Sequence, residues 1–193
     1  ASLSVSAVYI QRIVEIEAIW TVYNDGTVNV HMDVKRDKKL PFLPRFGLRL
    51  FLPENFSTID YLGYGPNECY VDKRQNAYYS HFTADVCDLH EDYIKPQENG
   101  SHWGCTRVSA LDPTGFSVQA TGDNFSFNAS LFTQEELGTT KHNYELETSG
   151  FTVLCLDSQM SGIGSGSCGP QLKEKYQLSA EKFTLDFDLY FGK

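Results

Sequence analysis

The chain has 193 residues, 41% of them hydrophobic, 13% aromatic and 21% charged. Area scaling lets a chain of this size bury roughly 70% of its exposable surface, which argues against a disordered or low-complexity chain. The 16 Lys and Arg against 25 Asp and Glu give a net charge of −9. Such a surface repels duplex nucleic acid and anionic membranes, and no apolar run approaches the ~20 residues of a bilayer span.

Residues 1–10 lack a basic segment followed by a solid apolar stretch and do not read as a secretory signal. Residues 13–23 form a long strand-like run. Asn24, Asp25 and Gly26 tolerate positive φ, so residues 13–23 and 27–34 read as a hairpin. Within the second arm, Val28, Val30, Met32 and Val34 alternate with Asn29, His31 and Asp33, one set for a buried face and one for water. Residues 35–39, basic but interrupted by Asp37, read as a solvated turn.

Further strands are predicted over 46–52, 116–120, 125–132, 144–146 and 151–156. Residues 62–107 and 162–170 break the strand rhythm and read as long loops, where binding usually resides. Thr133 to Glu136 fits a capping box, and Leu137-Gly138 limits that helix to about a turn or two. The chain closes on Phe183, Leu185, Phe187, Leu189 and Phe191 alternating with polar residues. The prediction is an all-β fold, a large antiparallel β-sandwich rather than a closed barrel, with residues 1–193 as one domain.

Cys69, Cys87, Cys105, Cys155 and Cys168 include no CxxC pair. They read as free thiols in a reducing compartment, and a cytoplasmic setting is the expectation. The sequons at Asn55, Asn99, Asn124 and Asn128 then read as chance matches. His90, Glu91, Asp92 and Glu98 cluster in sequence with Glu68 nearby. A glycosidase pair needs two carboxyl groups about 5–9 Å apart; the simpler reading has these groups capping backbone N–H groups or pairing with Lys95 and Arg107. His90 and Asp92 are a weak pair for a hard metal ion. Tyr93 and Trp103 form either a sugar-stacking patch or aromatics that pin their loop. The glycine loop around Gly162 lacks the Lys-Ser/Thr ending of a phosphate-binding loop.

Several of these segments carry a resemblance. Residues 62–72, Leu-Gly-Tyr-Gly-Pro-Asn-Glu-Cys-Tyr-Val-Asp, resemble the LG-x-GP-x-E-x-Y-x-D signature in the C-terminal domain of large β-galactosidases of glycoside hydrolase family 2. Residues 93–100 resemble its P-x-ENG motif, residues 125–130 its F-x-FN-x-S strand, residues 162–170 its GIGS-x-SCGP loop, and Tyr176, Gln177 and Leu178 its closing strand. The motifs stand in the family's order and span about residues 13–191.

The resemblance implies a sandwich like that of galactose mutarotase, lacking its opening strands because the likeness begins partway into the domain. It implies a protein that hydrolyses terminal non-reducing β-galactosides such as lactose with retention. It implies that the acid/base and nucleophile glutamates sit on a barrel domain of ~250 residues that this chain lacks. This domain is then non-catalytic, inactive by itself, and supplies one wall of the pocket. The substrate contacts implied are Cys168, where some members carry a sugar-stacking Trp, and Ser167. Glu68 and Glu98 read as fold-fixing. Partners implied are the remaining domains of the same enzyme, a galactoside, and further copies in an oligomer. No cofactor is expected in this chain, with magnesium and sodium in other domains. The alternative is a free-standing carbohydrate-binding sandwich whose platform is Tyr93, Trp103 and the glycine loop.

Overall fold

The structure, a computed structural model, describes residues 2–10, 13–164 and 171–193. Among these residues ten strands follow one another: β1 (Ser2–Ile10), β2 (Val14–Tyr23), β3 (Val28–Arg36), β4 (Arg45–Pro53), β5 (Thr58–Pro66), β6 (Ala77–Asp85), β7 (His102–Leu111), β8 (Ser117–Ser130), β9 (Phe151–Met160) and β10 (Lys182–Gly192). Among the described residues one α-helix, α1 (Gln134–Thr139), lies between β8 and β9. Every strand pairing is antiparallel.

The alternation in sequence sets the register. β2 and β3 form the predicted hairpin, closed by Gly26 at φ 89° with its N–H donating to the Tyr23 carbonyl. β3 then pairs β10, placing Val30 opposite Phe187 and Met32 opposite Leu185, all buried. The intervening residues face outward, where His31 Nδ1 bonds Asp186 at 2.7 Å and Asn29 donates to Asp188 at 2.9 Å.

The sheet branches at β8. The order runs β1-β2-β3-β10-β8-β7-β5-β6, and β9 leaves β8 to carry β4. Residues 117–121 of β8 pair β10, and residues 126–130 pair β9. The side-chain parity explains the branch. Val118 and Ala120 point into the core from even positions; Phe125, Phe127 and Ala129 do so from odd positions. The change is absorbed at Gly122–Asn124, where Asn124 has φ 50° and the register with β7 shifts. The β9–β4 arm folds over the β10 arm, with Phe46 meeting Phe183 edge-on at 5.1 Å. Tyr61, His102 and Phe127 pack at the core centre with ring centroids 4.7–5.0 Å apart.

Four sequence expectations are corrected. Residues 144–146 are not a strand; residues Asn143–Glu145 form a 3₁₀ turn. Residues 62–107 are not mainly loop, since they hold the end of β5, all of β6 and the start of β7. β6 carries the exposed Tyr78 and Tyr79, which blurred its alternation. The strands predicted at 116–120 and 125–132 are one strand, β8, whose parity change broke its period. In the basic stretch, Arg36 is buried rather than solvated; its guanidinium donates to the carbonyls of Ser179, Ala180, Asp37, Leu40 and Pro41.

Candidate functional site

Three of the sequence motifs meet at one end of β5, β8 and β9. Glu68, just beyond β5, is buried. Its carboxylate accepts from Lys73 Nζ at 2.6 Å, from the Gly100 N–H at 2.9 Å, from Tyr70 at 3.3 Å and from the Tyr93 hydroxyl. Burial pushes this carboxyl up, but the donors from Lys73, Tyr93 and Gly100 outweigh it and hold it below the usual range. Glu68 thus ties residues 93–100 to the turn at 68–73.

A second polar cluster lies beside it, on the face of β8 and β9 turned away from the core. Arg45 grips Asp157 through both Nε, at 2.9 Å, and Nη2, and reaches Glu98 at 2.7 Å and Asn128 at 3.0 Å. Burial alone would lower the Arg45 guanidinium, but the Asp157 carboxylate more than reverses this. Burial pushes Glu98 up, against the pull of Arg45. Asn128 donates to the Asn99 carbonyl at 2.5 Å. Asn99 and Asn128 are buried, so two of the four sequons cannot accept a glycan in the folded chain; Asn55 and Asn124 are exposed.

These contacts decide several candidates. Glu68 and Glu98 are committed to internal donors, which are Lys73, Arg45 and backbone N–H rather than the expected Lys95 and Arg107. Arg107 pairs Asp60 instead, at 2.8 Å. His90 and Asp92 approach to 3.6 Å, and no group of three His, Cys, Asp or Glu suited to a metal occurs among the described residues. Tyr93 and Trp103 are each held by partners of their own. The Tyr93 hydroxyl is spent on Glu68, and the Trp103 ring packs against Arg74, 4.3 Å from its centroid, and Tyr64, 5.4 Å away. Trp103 does line an open cleft of about 410 Å³ shared with Asn124, Gln159, Met160 and Tyr176. Burial raises the thiols of Cys69 and Cys105, and that of Cys155 to about 12, so none of the three is a thiolate nucleophile near neutral pH.

The glycine loop leaves the sandwich after β9. Ser161 is anchored by its hydroxyl, which donates to the Leu43 carbonyl at 2.7 Å and accepts from the Leu178 N–H at 2.8 Å. The Gly162 N–H donates to the Tyr176 carbonyl at 2.9 Å. Asp72 accepts from the next two amides, Ile163 and Gly164. Ser167 and Cys168, the two expected substrate contacts, lie outside the described residues. Neither Arg45 nor Asp157 stood out in the sequence. Arg45 follows a Pro-rich stretch without periodicity, and Asp157 sits in a strand where a buried carboxylate is not expected without its partner.

Comparison with known proteins places this geometry. The model of the beta galactosidase small chain family matches residues 2–189. The β-galactosidase of Actinobacillus pleuropneumoniae is 46% identical over 182 residues, covering 94% of this chain and 18% of that protein. The β-galactosidase of Staphylococcus xylosus is 41% identical over 172 residues, covering 89% of this chain and 17% of that protein. Among solved structures, a putative aldose 1-epimerase from Escherichia coli K12 aligns with a TM-score of 0.40 and 14% identity, covering 98% of this chain and 65% of that one. The chain spans less than a fifth of the length of the curated relatives it matches. With the ordered motifs, the antiparallel scaffold and the family match over nearly its whole length, this chain belongs to the beta galactosidase small chain family.

Proposed function

We propose that this chain is the non-catalytic C-terminal sandwich of a β-galactosidase that removes terminal non-reducing β-galactose with retention. The family match over residues 2–189 is the observation that carries the reading. Retaining hydrolysis needs two carboxyl groups about 5–5.5 Å apart flanking the scissile bond. Glu68 and Glu98 are held by Lys73, Tyr93, Gly100 and Arg45, which supports a structural use for both. The acid/base and nucleophile carboxylates belong to a barrel domain elsewhere in the protein. The sandwich buttresses that barrel and presents the loop of residues 162–170 to the sugar, Ser167 offering a hydroxyl and Cys168 a small polarisable side chain. The intact protein is cytoplasmic and oligomeric in this reading.

The test is turnover of a chromogenic β-galactoside by the intact protein and by this chain alone. The expected result is hydrolysis with retained anomeric configuration by the intact protein and none by the chain. Robust turnover by the chain alone would overturn the division of labour, and no turnover by the intact protein would overturn the activity.

A further inference from the structure

We propose that Asp72 is a positioning residue for the substrate wall: its carboxylate holds the first residues of the glycine loop and so sets where that loop meets the sugar. The proposal deepens the functional reading above and rests on it.

The contact is specific in chemistry. The Ile163 N–H donates to Oδ1 at 3.0 Å and the Gly164 N–H to Oδ2 at 2.9 Å, one oxygen for each of two successive amides. A carboxylate presents two acceptors; a side-chain amide presents one and would turn its NH₂ against the other N–H. The backbone approaches as closely as its composition permits. A Cβ on Gly162 would lie 2.3 Å from the Asp72 Cγ, so the carboxylate rests on a bare Cα.

Asp72 is itself held in place. Tyr70 and Lys73 exchange N–H···O=C bonds of 2.8 and 3.0 Å, closing a tight turn with Val71 and Asp72 at its tip. The base of that turn is fixed by the Cys69 N–H, which donates to the Ser101 carbonyl at 2.7 Å, and by buried Glu68. Contacts therefore run from Gly100 through Glu68 and the 70–73 turn to Asp72 and the loop. Three motifs far apart in sequence form one mechanical unit that ends at the loop assigned to the sugar.

The intact protein is the material for the test, with Asp72→Asn and Gly162→Ala attacking the contact from its two sides. Each is expected to raise KM for a chromogenic galactoside on the order of ten-fold, the factor that about 1.4 kcal/mol represents, with kcat nearly unchanged. Asp72→Glu, which keeps two acceptor oxygens, should recover part of the KM. Amide exchange at Ile163 and Gly164 should quicken in Asp72→Asn. Unchanged exchange there overturns the contact. Faster exchange with unchanged KM overturns the positioning role, as does a loss of kcat that merely tracks lost thermal stability. Should Asp72→Asn fail to accumulate, Gly162→Ala decides by the same readings. A wild-type protein without galactoside turnover defeats the functional reading instead, and exchange still reports the contact.

Discussion

Arg45 shows how much one side chain can organise. It reaches from the start of β4 to a carboxylate on β9, a second in the 93–100 segment and an amide on β8. Asp157 is only 2% exposed, so its charge has no solvent to fall back on. Removing one partner of a buried pair leaves the other uncompensated, at a cost of about 3–5 kcal/mol. Arg45→Ala is therefore expected to destabilise the domain by about that amount, and adding Asp157→Asn should restore a substantial part of it. Urea unfolding of the single and double variants measures both; additive losses would mean that the pair is not coupled. Arg36 plays a related part without a carboxylate, gathering five backbone carbonyls where the chain turns after β3 and before β10. Neither role was legible from local sequence, because partners up to 144 positions away supply it.

At the scale of elements, the strands that obey a plain period of two were readable. β2, β3, β9 and β10 were found because each alternates cleanly or forms a compact apolar run. β8 was found in two pieces because its inward face changes parity at Gly122–Asn124. The expected cap of α1 is half present. The Thr133 hydroxyl accepts from the Glu136 N–H at 3.1 Å, while the Glu136 carboxylate turns to Thr140 and the Glu147 N–H. The junction of β4 and β9 has its own requirement. Gly47 faces Asp157 beside a register shift, and a Cβ there would stand 2.0 Å from the Leu156 carbonyl oxygen. Gly47→Ala must force the two strands apart, and overpacking of this kind costs about 1–3 kcal/mol. The expected outcome is a lower urea midpoint together with faster amide exchange along β4; an unchanged midpoint would mean that the ladder yields freely.

For the molecule as a whole, acid stability follows from what the core encloses. His102 is buried against Tyr61 and Phe127, its Nδ1–H donating to the Tyr64 carbonyl at 3.1 Å. Burial pulls it down to about 4 from an ordinary value of 6.5. Between these values the unfolded chain binds more protons than the folded one. The stabilisation is thus fully present above about pH 6.5 and is lost as pH falls toward 4. Glu68, held low, adds a loss of the same sign at lower pH, whereas Glu98, pushed up by burial, works in the opposite sense. Lowering pH from 7 to 5 should cost about 2 kcal/mol through His102. Urea midpoints of wild type and His102→Phe across that range check this; an equal pH slope in both would remove His102 from the account.

The sequence by itself determined the class of fold, the sign of the surface charge, the first hairpin and the family, because alternation and short ordered motifs are local properties that pairing only reads out. Tertiary structure alone decided that β8 splits the sheet, that Arg45 rather than Lys95 neutralises Glu98, and that Asp72 meets the glycine loop 91 positions away. Those outcomes depend on which distant segments share a face, and no local pattern encodes a contact whose partner is brought in by the fold.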